Sequence, residues 1–88
     1  MKKHLVISGK VQGVGFRYWM KSLAINNNIN GWVKNKMSGD VEALIIGEEK
    51  DVQKLIKLCE IGPSSATIKN IKVNDYEHDY SKQGFNIF

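Results

Sequence analysis

The order of hydrophobic patterns along these 88 residues predicts an α+β fold in which two helices cover one face of an antiparallel sheet. Segments in which apolar and polar residues alternate, as in half-buried strands, lie on both sides of two segments with the apolar spacing of a helix. The two middle strands are joined by a turn that contains glycine, which is typical of a hairpin. The chain is too short for two ordinary domains, so residues 1–88 are expected to form one domain.

The first strand is predicted from Lys3 to Val11, because Leu5, Ile7 and Val11 fall on one of its faces. The chain is then expected to turn at Gln12-Gly13-Val14-Gly15, since glycine tolerates a positive φ and close backbone approach. A helix follows, in which apolar residues recur at i, i+3, i+4, i+7 and i+8, namely Phe16, Trp19, Met20, Leu23 and Ala24. Asn26-Asn27-Asn28 is expected to end this helix, because asparagine tolerates the left-handed conformation.

The second half of the chain repeats this alternation of strand and helix. A hairpin is predicted from residues 31–36 and 41–46, with Met37-Ser38-Gly39-Asp40 as its turn. A second helix is predicted from about Lys50 to Cys59, and Gly62-Pro63 is expected to stop it. The last main strand is predicted from Thr67 to Tyr76, followed by a polar turn and a short alternating piece with Phe85 and Ile87.

The resulting order is β-α-β-β-α-β, in which each half holds a strand, a crossover helix and a strand. Right-handed crossovers leave few topologies for this order, and a ferredoxin-like sandwich is the expected one.

Composition narrows the class of protein. With 42 % hydrophobic and 25 % charged residues the chain is expected to be globular, and no apolar run is long enough for a membrane helix or a secretory signal, so a cytoplasmic location is expected. Cys59 is the only cysteine, so no disulfide can form within the chain, and neither a metal nor a cofactor is implied. The formal net charge of +4 favours anionic partners, but it does not choose between a phosphate and a nucleic acid.

The glycine turn is the first candidate functional element. Because it joins a strand to a helix, the backbone N–H groups of Gln12 to Phe16 can form an anion cradle, aided by the helix dipole. Many such turns only reverse the chain, so the glycines alone are weak evidence. Arg17 strengthens it, because its guanidinium can bind two phosphate oxygens, although most arginines are simply solvated.

Asn35 is the second candidate. It is expected at the end of the second strand and on the same face as Val33, pointing toward the helices. Its amide could orient an attacking water without removing a proton, although asparagine is also common in turns.

Two stretches closely resemble the two motifs of the acylphosphatase family, at the spacing that the family uses. They are Gly9-Lys10-Val11-Gln12-Gly13-Val14-Gly15-Phe16-Arg17 and Gly31-Trp32-Val33-Lys34-Asn35. The resemblance spans nearly the whole chain and extends to Gly39, Val41-Glu42, Gly62-Pro63, Phe85 and Ile87. One departure is Ser38-Gly39, where the family usually has Asp-Gly, and both are acceptable turn formers.

The resemblance implies a metal-independent enzyme that hydrolyses the carboxyl–phosphate bond of a small acyl phosphate. It assigns phosphate binding to Arg17 and the loop amides, and the nucleophilic water to Asn35, so that Arg17 and Asn35 are the implied catalytic residues. The implied substrate-binding residues are Gln12, Gly13, Val14, Gly15, Phe16 and Arg17. A monomer is expected, and nucleic acid is not an expected partner.

No general base stands out in the sequence. His4 and His78 lie outside the motifs, and Asp40 and Glu42 are interpreted as hairpin residues. The hypothesis is therefore that the proton of the water passes to a phosphoryl oxygen of the substrate. The alternative function is a non-catalytic module of the same fold that binds a phosphorylated ligand or RNA. RNA binding would need exposed aromatic side chains in a basic groove, whereas Phe16 and Trp19 belong to the predicted core. Trp32 is expected on the face opposite Val33, and its exposure is left open by the sequence.

Overall fold

The computed structural model describes all residues from 1 to 88 and contains five strands and two helices. They are β1 (Lys2–Lys10), α1 (Phe16–Asn26), β2 (Asn30–Asn35), β3 (Val41–Ile46), α2 (Glu49–Ile61), β4 (Thr67–Asp75) and β5 (Phe85–Ile87). The predicted β-α-β-β-α-β order is confirmed, with β5 as a short addition. The second helix is longer than predicted, because it includes Glu49 at its start and Glu60 and Ile61 at its end.

The five strands form one sheet in the order β4-β1-β3-β2-β5. β1 pairs antiparallel with both β3 and β4, and β2 pairs antiparallel with β3, as expected for a ferredoxin-like sandwich. β5 pairs parallel with β2, which makes the sheet mixed. The parallel direction of β5 results from the path of the chain. After β4 the chain runs along the end of the sheet at which β1 and β2 begin. The N–H of Tyr76 donates to the carbonyl of Lys2, and that of Gly31 donates to Gly84, so β5 enters in the direction of β2.

The hydrophobic core lies between one face of the sheet and the two helices. Alternate residues of β1, β2 and β3, including Leu5, Ile7, Val33, Val41 and Ile45, are fully buried on that face. The helices contribute the stripes that their spacing predicts: Phe16, Met20 and Ala24 from α1, and Val52, Leu55 and Cys59 from α2. Trp19 and Leu23 pack against this core while staying partly exposed.

Cys59 is part of the core rather than of any reactive site. Its side chain is fully buried, and burial raises the pKa of its thiol from 9.0 to about 12. Since the thiolate is the nucleophilic form of cysteine, this thiol is chemically inert in the folded protein.

The two helices have 11 and 13 residues, and neither is long and apolar enough to cross a membrane.

Candidate active site

The loop between β1 and α1 owes its shape to two glycines. Gly13 and Gly15 have φ values of 73° and 76°, in the left-handed region that side chains disfavour. A Cβ atom at either position would meet nothing within 4 Å, so the backbone angle and not a lack of space favours glycine there. Gly15 is also the residue that precedes the first turn of α1. The two glycines thus lead the chain from the sheet directly into a helix N-terminus.

Backbone N–H groups in this loop are free to bind a ligand. From Gly13 to Tyr18, no backbone N–H donates a hydrogen bond within the protein, and the first that does is that of Trp19, to Gly15. The first N–H groups of any helix lack partners in the helix itself, and here no side chain caps them. The partial positive charge of the helix end adds to these free donors.

The glycine loop and the first turn of α1 line a small pocket of about 160 Å³. Its lining consists of Val11, Gly13, Gly15, Phe16, Arg17, Tyr18 and Asn35. Pockets for larger organic ligands run to roughly 300–1,000 Å³, so this one suits a small anion. A larger depression of about 390 Å³ lies between α2 and β4, but it contains no arginine.

Arg17 is the only arginine of the chain, and it lies in the first turn of α1 at the edge of the pocket. Its Nη1 donates a long hydrogen bond of 3.4 Å to the main-chain oxygen of Phe88, the last residue of the sequence. Phe88 is in turn fixed by its own N–H, which donates to Val33 at 2.9 Å. No Asp or Glu side chain forms an ion pair with the guanidinium.

Asn35 reaches the pocket from the other side. It is the last residue of β2, pairs with Val41 of β3, and shares a face with the buried Val33. Its side chain is exposed and makes no hydrogen bond to the protein. The amide is thus available to a ligand or a water molecule in the pocket.

Most of the residues predicted for the site come together, but two lie elsewhere. Gly13, Gly15, Phe16, Arg17 and Asn35 line the pocket, as the sequence led us to expect. Val14 packs against the hydrophobic core, and Gln12 directs its side chain to the β2–β3 turn. For these two residues only the backbone N–H groups remain candidates for the cradle.

Tyr18 lines the pocket and was missed in the sequence. It is 71 % exposed, which is high for an aromatic residue. Its position in the sequence could have indicated this, because Tyr18 lies outside the apolar stripe of α1 that contains Phe16 and Trp19 and is therefore not needed in the core.

Comparison with known proteins gives the family of the chain. The family model described as Acylphosphatase matches residues 3–87. The chain belongs to the acylphosphatase family. A curated relative named Acylphosphatase from Acidiphilium cryptum is 41 % identical over 83 residues, which cover 94 % of this chain and 90 % of the relative. The crystal structure of acylphosphatase from Bacillus subtilis superposes with a TM-score of 0.94 at 31 % identity, covering 99 % of this chain and 97 % of the other.

An acylphosphatase structure from Coxiella burnetii is also similar, with a TM-score of 0.90 and 35 % identity over 99 % of this chain and 90 % of the other. The resemblance seen in the two sequence motifs is therefore confirmed. Membership of the acylphosphatase family favours an enzyme over the non-catalytic binding module.

The hairpin turn keeps a regular geometry with Ser38 in place of the aspartate usual in acylphosphatases. The N–H of Lys36 donates to Asp40 at 2.8 Å, that of Gly39 donates to Lys36 at 3.1 Å, and Gly39 has a φ of 98°. Ser38 Oγ accepts from the N–H of Asp40 at 3.4 Å and donates to its carboxylate at 3.2 Å. The serine thus supports the turn with its own hydroxyl.

The carboxylates near Asn35 are occupied outside the pocket. Glu42 lies on the opposite face of the sheet from Asn35, where it accepts a 2.6 Å hydrogen bond from the His4 ring and lies 3.6 Å from Lys34. Asp40 is bound to Ser38. No three histidine, cysteine, aspartate or glutamate side chains form a group that could hold a metal ion.

The environment of Glu42 lowers its pKa. Burial alone raises the pKa, but the hydrogen bond from His4 and the charges of His4, Lys34 and Lys36 outweigh it and bring the pKa below 4.5. A carboxyl group with a lowered pKa stabilises the fold above its unfolded pKa, and this contribution is lost as the pH falls through the folded pKa.

Replacing Glu42 should therefore affect stability and not turnover. Glu42→Gln is expected to lower the free energy of unfolding at pH 7 by about 1 kcal/mol, which is a typical net contribution of one hydrogen-bonded ion pair at a partly exposed position. The difference from wild type should shrink as the pH falls below 4.5 and through the lowered pKa of the folded state, where the wild-type carboxyl group also becomes neutral. Urea unfolding at pH 7 and pH 3 measures both effects, and Glu77→Gln, at an exposed loop position, is the control. A kcat that drops with Glu42→Gln would instead assign Glu42 a part in the reaction.

Proposed function

We propose that this chain hydrolyses the carboxyl–phosphate bond of acyl phosphates, releasing a carboxylate and inorganic phosphate. The observation that carries the proposal is that the only arginine, the free loop amides and an unpaired asparagine amide meet in one small pocket. In this proposal Arg17 and the N–H groups of residues 12–17 bind the phosphoryl oxygens. Asn35 holds the attacking water in line with the phosphorus–oxygen bond to be broken.

The chemistry suits this set of groups. Phosphoryl transfer passes through a loose transition state, in which negative charge is spread over the phosphoryl oxygens. Fixed N–H donors and a guanidinium stabilise that charge without reorganising, and this kind of electrostatic stabilisation is usually the largest contribution to catalysis. Holding the water and the substrate together supplies the rest, because it converts an encounter in solution into a positioned reaction. A carboxylate leaves readily and needs little help from an acid.

The water loses its proton to a non-bridging phosphoryl oxygen of the substrate in this mechanism. The pocket offers no carboxylate or histidine for the task, since Asp40 and Glu42 are engaged elsewhere. Asn35 can accept a hydrogen bond from the water and so orient it, but it cannot remove the proton.

The remaining parts of the proposal concern conditions and partners. The positive charge of Arg17 and the helix end takes the role that a metal ion has in many phosphoryl-transfer enzymes, so no metal is required. We place the activity in a monomer of residues 1–88 in the cytoplasm, with a small-molecule substrate and without a nucleic acid partner.

A phosphate-release assay tests the proposal. Wild-type protein incubated with acetyl phosphate or benzoyl phosphate should release inorganic phosphate above the spontaneous rate, and EDTA should leave the rate unchanged. Inorganic phosphate should inhibit competitively, since it fits the same cradle. Absence of hydrolysis together with RNA binding that weakens steeply with salt would replace the enzyme by a binding module.

A further inference from the structure

The side chain of Gln12 connects the two halves of the pocket. Its Nε2 donates to the carbonyl oxygen of Lys36 at 2.7 Å and to that of Asp40 at 2.9 Å. These acceptors lie 24 and 28 residues away along the chain, in the turn between β2 and β3. The loop that carries the glycines and the turn that follows Asn35 are therefore tied together by one amide group.

The two acceptors are the carbonyls that define the hairpin turn. Asp40 also accepts from the N–H of Lys36, and Lys36 also accepts from the N–H of Gly39. Asn35 directly precedes this turn and pairs with Val41, which directly follows it. A contact that holds this turn in place therefore also holds the adjacent backbone of Asn35, and with it the position of the Asn35 side chain.

The chemistry of the contact selects a primary amide. One side-chain atom donates hydrogen bonds to two carbonyl oxygens, and the nitrogen of a primary amide has the two N–H bonds that this needs. A carboxylate at the same position would face two oxygen acceptors with no proton to share, and asparagine would fall short by one methylene group.

Of the two segments that Gln12 joins, the turn is the one that depends on the contact. The glycine loop is anchored on both sides by the buried side chains of Val11 and Phe16, each only 1 % exposed. The turn also lies between buried residues, Val33 and Val41, but from Lys36 to Gly39 it is exposed throughout, and Gln12 is its only hydrogen-bond partner outside the hairpin. Loss of the contact should therefore displace the turn, and Asn35 with it, while leaving the phosphate cradle in place.

We propose that Gln12 is a positioning residue that sets the distance between the phosphate cradle and the Asn35 amide. The inference rests on the proposed function, in which Asn35 holds the attacking water. A displacement of about 1 Å in a reacting group can lower the rate by roughly 10²-fold, so the contact is expected to matter for turnover more than for binding.

The test is a mutant cycle between Gln12 and Asn35. Gln12→Ala should lower kcat for acetyl phosphate by roughly 10- to 100-fold, with the inhibition constant of inorganic phosphate changed by less than about 3-fold. In an Asn35→Ala background the same change should lower kcat by less than about 3-fold, because there is no longer a water-holding amide to position. Gln53→Ala, at an exposed position of α2, is the matched control and should behave as wild type.

Two further variants keep the result clear if Gln12→Ala folds poorly. Gln12→Asn retains an amide that cannot reach, and Gln12→Glu retains the length without the donors, so both should show the same loss of kcat. Circular dichroism checks that each is folded. Losses of kcat that multiply in the double variant would overturn the positioning role. A loss of phosphate affinity in Gln12→Ala as large as its loss of kcat would overturn it as well. If the wild-type protein itself fails to hydrolyse acetyl phosphate, the proposed function is wrong. The activity of the wild-type protein therefore distinguishes a failure of the proposed function from a failure of the positioning role of Gln12.

Discussion

Arg17→Ala is expected to lower kcat/KM for acyl phosphates by roughly 10³-fold or more, the scale seen when a transition-state arginine is removed from a phosphoryl-transfer enzyme. The physical reason is that the pocket has no second cation to replace it, because Arg17 is the only arginine and no lysine lines the pocket. Affinity for inorganic phosphate should fall in parallel, which steady-state kinetics with phosphate as inhibitor measures.

Two variants separate a direct contact from a general effect of charge. Arg17→Lys keeps the charge but loses the planar pair of donors, so it should recover only a small part of the activity. Lys21→Ala removes the same amount of charge one helical turn further along α1, outside the pocket lining, and is the matched control. Its effect should be small and should vanish with added salt, since the charge of this partly exposed lysine is screened by ions. Equal losses in Arg17→Ala and Lys21→Ala would show that net charge, and not the guanidinium, determines activity.

Asn35→Ala is expected to lower kcat by roughly 10²- to 10³-fold while phosphate affinity stays close to that of wild type. The asymmetry follows from the geometry, because the proposed phosphate donors belong to α1 and its loop, whereas Asn35 approaches from β2. Full kinetics with acetyl phosphate, together with the inhibition constant of inorganic phosphate, measure the two quantities separately.

The control for this variant is Asn74→Ala, which removes an exposed asparagine side chain from β4 that is not part of the pocket lining. It should leave both kcat and phosphate inhibition unchanged. If Asn35→Ala and Arg17→Ala weakened phosphate binding to the same extent, both residues would belong to the phosphate site, and the water would need another holder.

The sequence predicts the elements of this fold well because each has a local cause. Alternation in β1 and the stripe of α1 show which residues face the core, and Asn28 adopts the left-handed conformation, with a φ of 56°, that the three asparagines suggested. The face of β2 on which Asn35 lies is predicted in the same way, because Asn35 is two residues from Val33. A local pattern is enough for these features, since the burial of one face depends only on spacing.

Other parts of the site depend on contacts between distant segments, which local patterns do not contain. The backbone N–H of Gln12 was expected in the phosphate cradle, but no local pattern shows that its side chain binds carbonyls of a turn more than twenty residues away. The parallel entry of β5 follows from the route of the chain around the end of the sheet, and Phe88 meets Arg17 only as a result of that route. Tyr18 of α1 and Asn35 of β2 line the same pocket although they belong to different elements, which no local pattern shows.

The position of β5 also bears on how the protein gains its activity while folding. Phe88 reaches Arg17 across 71 positions of sequence, and the strand that brings it there pairs with residues from the first half of the chain. Contacts so distant in sequence must close a large loop of chain, and proteins rich in them fold more slowly than proteins held by local contacts. Helical structure and the β2–β3 hairpin depend on shorter loops. The last strand thus brings Arg17 its one hydrogen-bond partner in the protein, and regain of turnover in a refolding experiment is expected to follow the pairing of this strand rather than the formation of α1.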